Sequence, residues 1–194
     1  WVRLNQLDKA RYLYEAVREA RAAPWAKLGI ARVELESGQL QQATRTLESL
    51  IGEQPTYADA YDVMGRVQVE QGDMTAALET YRTATELTPA SISRLQKQGM
   101  LAFYMGEAAE ATDALERTVR IGISSKMFDV QSLVMLAMLH FDKRDTKAFG
   151  RVYDNLALAA EKRPDSVRLQ RFLRVGQVFK SLFERQVGDC LGHV

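Results

Sequence analysis

The residues that could perform acid–base, nucleophilic or metal chemistry are few and lie far apart. Two histidines, His140 and His193, and one cysteine, Cys190, occur in 194 residues. Neither histidine has a cysteine or carboxylate at a spacing typical of a metal site. No histidine precedes Cys190 in a recognisable nucleophile–base pairing, so its thiol is expected to be inert. The sequence therefore predicts no catalytic, cofactor or metal site, and hence not an enzyme; we expect His140 to be a partly buried helix residue.

The charge balance does not indicate a nucleic-acid partner. Lysine and arginine number 26 and aspartate and glutamate 25, which leaves no basic excess to attract a polyanion. The segment from Arg163 is locally basic, with Arg168, Arg171 and Arg174. Basic residues opposite an apolar stripe are the ordinary construction of an amphipathic helix. We therefore favour that interpretation over a nucleic-acid site.

Targeting and membrane signals are also missing from the sequence. No apolar run approaches the roughly 18 residues that a membrane span needs, so no membrane insertion is predicted. A single cysteine allows no intrachain disulfide and fits a reducing compartment, which favours a cytoplasmic location. The chain starts at Trp1 without methionine and in the middle of a repeat. We expect it to be a piece of a longer protein, and a periplasmic location is the alternative if a signal was removed.

A period of 34 residues organises the middle of the chain. A shift of 34 aligns Gly65 with Gly99 and Gly72 with Gly106, and a third copy in the same register starts at Pro24. In each copy, apolar residues recur at helical spacing on both sides of a glycine where the first helix must end. Small residues allow close approach of the two helices: Ala31, Gly65, Gly99, Ala43, Ala77 and Ala111. The pattern predicts stacked antiparallel helix pairs and no sheet.

The spacing resembles that of the tetratricopeptide repeat. This family has a period of 34 residues, small residues at the eighth and twentieth positions, an aromatic residue or leucine at the twenty-fourth and proline at the thirty-second. The copy from Ala58, with Gly65, Ala77, Tyr81 and Pro89, is the closest match. The resemblance implies an all-α fold in which antiparallel helix-turn-helix repeats form a right-handed superhelical solenoid. It also implies a non-catalytic module that binds other proteins.

The same register divides the chain, which we interpret as a single solenoid domain over residues 1–194. Residues 1–23 are predicted to form the second helix of a truncated repeat, and 24–57, 58–91 and 92–125 three full repeats. Residues 126–163 suit a degenerate repeat, displaced by a four-residue insertion, in which Phe149 replaces a small residue. A capping helix over 164–187, packed through Val167, Phe172, Val175, Phe179, Leu182 and Phe183, and a tail over 188–194 complete the prediction.

The resemblance also indicates where a partner would lie. In tetratricopeptide proteins the first helix of each pair lines a concave groove, which holds an extended or helical segment of a partner. Groove positions carry charged residues in the first half of this chain and methionine and aromatic residues in the second. The predicted partner-binding residues are Arg32, Asp62, Arg66, Lys97, Met100, Phe103, Tyr104, Met135 and Met138. The alternative for the apolar members is packing between repeats, and the oligomeric state is not predicted.

Two cellular roles fit this prediction. Stretches such as residues 24–32 and 93–99 resemble the tetratricopeptide regions that follow receiver domains in some proteobacterial response regulators. That resemblance implies an output region that docks a partner when the receiver is phosphorylated. The alternative is a scaffold or accessory factor in envelope, pilus or secretion assembly. A regulatory end of an enzyme is a third interpretation.

Overall fold

The chain folds as helices throughout the part that the structure describes. A computed structural model describes residues 6–21, 23–124, 129–162 and 164–191, and these contain ten α-helices and no β-strand. The predicted all-α fold is thus confirmed. The chain divides into two compact units, Trp1–Arg94 and Leu95–Val194. Among the described helices, none combines the length and the hydrophobicity needed to cross a bilayer.

The first unit consists of helix pairs preceded by one further helix. Its helices are α1 (Leu7–Arg21), α2 (Pro24–Glu36), α3 (Leu40–Glu53), α4 (Ala58–Gln71) and α5 (Met74–Leu87). Helix α6 (Ile92–Met105) begins in this unit and continues into the second. Helix α2 packs against α1, α3 and α4, and α4 also packs against α3 and α5. The core between these pairs is aliphatic, with Leu47, Leu50 and Val67 fully buried.

The glycines that punctuate the repeats end their helices as predicted. Gly38, Gly72 and Gly106 have φ angles of 73°, 82° and 81°. This left-handed conformation strains side-chain-bearing residues but not glycine. At the corresponding turn of the next pair, Arg144 adopts φ 54°. The displacement of Arg144 by four residues from the strict period agrees with the predicted insertion before that pair.

Two other glycines are required because helices cross closely there. A Cβ atom added to Gly65 would lie 2.6 Å from the ring of Tyr81, and one added to Gly99 would lie 2.7 Å from Leu115. Both distances are well below van der Waals contact. Burial raises the pKa of the Tyr81 hydroxyl to about 12. The predicted close approach of the two helices at Gly65 and Gly99 is confirmed.

The second unit continues with α7 (Ala108–Ser124), α8 (Val130–Asp142), α9 (Thr146–Glu161) and α10 (Val167–Leu191). Asp129 and Asp145 cap the starts of α8 and α9 by accepting hydrogen bonds from backbone N–H groups of Ser132 and Ala148, both at 2.9 Å. Helix α8 packs against α7 and α9, and α10 packs against α9 and α8. Phe149 is buried in this core despite its size.

The last helix differs from the predicted cap. Helix α10 runs to Leu191, beyond the expected end at residue 187, and the Ser166 hydroxyl caps its start by accepting a hydrogen bond from the backbone N–H of Leu169. Leu169, Phe172 and Phe179 face the rest of the unit, whereas Val167 is largely exposed and Val175 and Leu182 are about half exposed. The prediction that Val167 and Leu182 pack inward was wrong, because the rotation of α10 places Leu169 and Gly176 at the contact instead; Val175 lies at the edge of that contact and lines a cavity beside it. The Phe183 side chain and residues 192–194 lie outside the described part.

Candidate functional site

The charged groove residues of the first unit are mostly engaged within the chain. The Arg66 guanidinium donates to Glu36 Oε1 at 2.8 Å, and Asp62 Oδ2 accepts from Arg94 Nε at 2.9 Å. Arg32 is exposed, and no hydrogen bond or ion pair is found for it within the described residues. Of the two arginines predicted to meet acidic groups of a partner, Arg32 is therefore the more available.

An ion-paired arginine that sequence reasoning missed connects α4 with the start of α6. Arg94 is only 9% exposed, and its guanidinium reaches Asp59, Asp62 and the Thr88 hydroxyl, with a distance of 2.7 Å to Thr88 Oγ1. Arg94 occupies the register position that buried Ala60 holds one repeat earlier. The sequence signal that could have revealed this cluster is an arginine at the repeat position that is occupied by alanine one repeat earlier. Two carboxylates, 35 and 32 residues before it, complete the signal.

The predicted groove residues of the second unit differ in how far they are exposed. Tyr104 is 69% exposed and Met138 52% exposed, so both offer surface to a partner. Met100, Lys97 and Phe103 are half-buried, and the Phe103 ring meets Tyr104 edge-on at 5.7 Å. Met135 is only 5% exposed and belongs to the core, so its assignment to the groove is corrected. It points inward because α8 is buried on the side that carries Leu136 and Leu139.

An apolar cavity of about 290 Å³ lies between α8, α9 and α10. Five of the twelve residues that line it are aromatic, and the ring centroids of Phe141 and Phe179 are 4.4 Å apart. Met138 and Val175, each about half exposed, lie at its edge and leave it accessible from solvent. The lining residues are Val134, Ala137, Met138, Phe141, Asp142, Phe149, Tyr153, Leu156, Phe172, Val175, Gly176 and Phe179.

Asp142 is the one carboxylate among these lining residues. It is exposed, and within the described residues no ion pair or hydrogen bond is found for its side chain. It is also the last residue of α8, where the negative end of the helix dipole disfavours a carboxylate. Helix stability therefore gives no reason for an acid at this position.

A second, more polar cleft lies beside His140. Its walls include Glu116, Arg151 and Asn155, and Glu116 Oε1 lies 3.5 Å from His140 Nε2. Burial lowers the pKa of His140, and the Glu116 carboxylate opposes that shift. None of the described residues that line this cleft is a serine, threonine or cysteine nucleophile. Across the described residues, no group of three or more His, Cys, Asp or Glu side chains is placed to hold a metal ion.

Comparison with known sequences assigns the family. The sequence profile described as "Tetratricopeptide repeat" matches residues 2–67 and 34–102, which together span just over half of the chain. The chain is a tetratricopeptide repeat protein. Members of this family are generally non-catalytic modules that bind other proteins.

Relatives of this tetratricopeptide chain are distant or much longer. It is 29% identical over 111 residues to superkiller complex protein 3 of Mus musculus, a match over 56% of this chain and 7% of that protein. The structure of MamA is similar with a TM-score of 0.66 and 21% identity, and the match covers 81% of this chain and 92% of that one. YrrB, described as a tetratricopeptide protein with an unusual peptide-binding site, has a TM-score of 0.65, 18% identity and coverages of 88% and 84%. These two structural similarities concern the fold.

Proposed function

We propose that this tetratricopeptide protein is a non-catalytic interaction module and that the cavity between α8, α9 and α10 receives an apolar side chain of a partner segment. The observation that carries this proposal is an aromatic-lined space left open in a folded unit. Apolar cavities cost stability because the atoms around them lack packing partners. A partner side chain that fills the space would recover those contacts at the moment of binding.

The size and polarity of the cavity narrow the class of occupant. A volume of about 290 Å³ is at the lower end of small-molecule sites, which suits one or two large apolar side chains. Aromatic and methionine residues supply much of the binding energy in protein interfaces because they offer large area with adaptable packing. Met138 at the edge and Tyr104 on α6 are the exposed residues of this kind at predicted groove positions.

Asp142 adds a charge to this recognition. An exposed carboxylate without an ion pair among the described residues, at the edge of an apolar cavity, favours a lysine or arginine next to the apolar anchor of the partner, since the pair would be partly screened from water when bound. The peptide-binding site of YrrB, a protein of similar fold, supports a peptide as the class of partner. We infer an occupant with one bulky apolar residue and a basic neighbour.

Selection of short peptides from a random display library on the purified chain would test the proposal. We expect enriched peptides to carry an aromatic or long aliphatic residue beside lysine or arginine. Ala137→Leu would fill the cavity and should weaken binding of those peptides at least tenfold. Ala109→Leu, at an exposed position of α7, is the matched control. Equal binding to the parent and to Ala137→Leu, at matched folded fraction, would exclude the cavity.

The charge component has its own test. Asp142→Lys should reverse the preference, so that selection on this variant enriches acidic rather than basic neighbours of the apolar anchor. An unchanged consensus would show that Asp142 does not take part.

The pathway remains a prediction from sequence resemblance. We favour the output region of a response regulator, with a scaffold or accessory factor in envelope, pilus or secretion assembly as the alternative. The domain content of the encoded protein distinguishes them. A receiver domain with an acidic phospho-acceptor pocket would support the first role, a lipoprotein signal would support the second, and a catalytic domain would contradict both.

A further inference from the structure

We propose that the solvent-facing side of α10 is a second docking surface. It binds an amphipathic helix of a partner protein, and this helix carries carboxylates along the edges of its apolar face. This surface, the outer face of α10, is formed by Val167, Arg171, Arg174, Val175, Val178 and Leu182. It is distinct from the interior of the aromatic cavity, although Val175 borders both.

The aliphatic members of the outer face are exposed together rather than singly. Val167, Val175, Val178 and Leu182 are between 46% and 71% exposed. At 100° per residue they fall on one side of the helix, opposite Leu169 and Gly176. A terminal helix that only shields a solenoid presents a polar outer surface. Clustered exposed aliphatic residues instead mark an interaction surface.

The charge on this face identifies the chemistry of the partner. Arg171 and Arg174 are exposed on the same side, and no ion pair is found for either within the described residues. The sequence from 167 to 182 contains no aspartate or glutamate. A second copy of the chain would bring these arginines against one another, which disfavours self-association. Nucleic acid would neutralise the arginines but leave the aliphatic side chains without contacts.

The spacing of the face suits a helix. Residues 167, 171, 175, 178 and 182 are three or four apart, which is the ridge that a second helix packs against. The face extends over roughly 22 Å, equal to about four helical turns. An extended strand would gain no main-chain pairing, because the backbone groups of α10 are bonded within the helix. A partner helix of about four turns with acidic edges therefore fits best.

Two synthetic helical peptides with the same leucine face test this inference. One carries glutamates along both edges of that face and the other carries lysines. Fluorescence anisotropy with the full chain should show that the glutamate peptide binds at least tenfold more tightly than the lysine peptide. The difference should shrink as salt is raised, because the arginines are exposed and screened.

Variants separate the two components of the surface. The variant Arg171→Glu/Arg174→Glu should reverse the preference between the two peptides. The variant Val178→Ser/Leu182→Ser should weaken binding of the glutamate peptide at least fivefold. Arg18→Glu/Arg45→Glu changes the net charge equally at exposed positions of the first unit and should leave binding unchanged. Leu158→Ser, at an exposed leucine of α9, is the control for the aliphatic change. Circular dichroism confirms that each variant is folded to the same extent.

Several outcomes would overturn the inference. The outer face is excluded as a site for an acidic helix if neither peptide binds or if both bind equally. It is also excluded if the control variants lose as much binding as the variants of the outer face. Sedimentation of the chain alone as a dimer that Val178→Ser/Leu182→Ser dissociates would assign the face to self-association. An RNA oligonucleotide that outcompetes the glutamate peptide and depends on Arg171 and Arg174 but not on Val178 and Leu182 would assign it to nucleic acid.

Discussion

Polar and apolar side chains are arranged differently in the two units. In the first unit, charged side chains pair across helices: Arg94 with Asp59 and Asp62, and Arg66 with Glu36. In the second unit, aromatic side chains surround an open cavity, and Asp142 stands at its edge. A charged side chain that is paired within the chain is less available to a partner protein, whereas an apolar cavity that is not filled can still accept a partner side chain. We therefore propose the second unit as the site of binding, although that unit also contains a contact between charged groups across helices, Glu116 with His140.

The largest expected effect tests close helix crossing in the first unit. Gly65→Leu would drive a side chain into the Tyr81 ring, since even its Cβ would lie 2.6 Å away, and should lower the free energy of unfolding by roughly 3 kcal/mol. Gly52→Leu is the matched control, because nothing lies within 4 Å of a Cβ there. Urea denaturation followed by tryptophan fluorescence would measure both. Equal stability of Gly65→Leu and the parent would disprove the crossing.

The next effect concerns the arginine cluster of the first unit. Arg94→Met keeps the aliphatic stem but leaves Asp62 without its cation, and should cost about 2 kcal/mol of folding stability. A double-mutant cycle with Asp62→Asn would show whether the two residues act together, and we expect the second change to cost much less once Arg94 is absent. Additive losses would mean that the contact contributes little.

A smaller effect is expected from pH in the second unit. Burial keeps the His140 pKa below its ordinary value, while in the unfolded chain the imidazole takes up a proton near pH 6.5. The unfolded state therefore binds more protons in this window, and stability should fall as the pH drops below about 6.5. His140→Gln should make stability depend less on pH, as measured by urea titrations followed by circular dichroism.

The hydrogen bond from the Ala148 N–H lowers the Asp145 pKa. The contribution of Asp145 to stability is therefore lost only at more acidic pH, below its ordinary pKa of 3.8.

The smallest effect is expected at the exposed ion pair. Arg66→Ala removes a contact with Glu36 in which both side chains are about half exposed, and should change stability by less than about 0.5 kcal/mol. If Arg66→Ala lowers folding stability as much as Arg94→Met does, the exposed arginine contributes as much as the buried one, which would contradict this prediction. Thermal melts of Arg66→Ala, Arg32→Ala and the parent would decide this. The role of Arg32 in meeting an acidic partner stays a prediction.

Local features of the fold could be read from the sequence. The turns at Gly38, Gly72 and Gly106 and the close approach of two helices at Gly65 follow from one period and from backbone preferences that hold wherever such residues occur. These features depend on contacts within a single helix pair. Their register is therefore set by residues close together in the chain, and the sequence alone determined it.

Side-chain placement between helix pairs was decided only in the tertiary structure. Met135 and Met138 are three residues apart on α8, yet one is buried and the other exposed, and Arg94 is buried although arginine ordinarily lies at the surface. Val167 and Leu182 face solvent although their spacing suited packing. A helical pattern gives the width of an apolar stripe but leaves the rotation of the helix about its axis within a wide range. That rotation is fixed when neighbouring helices pack, because the large and small side chains of three helices at once must then fit together.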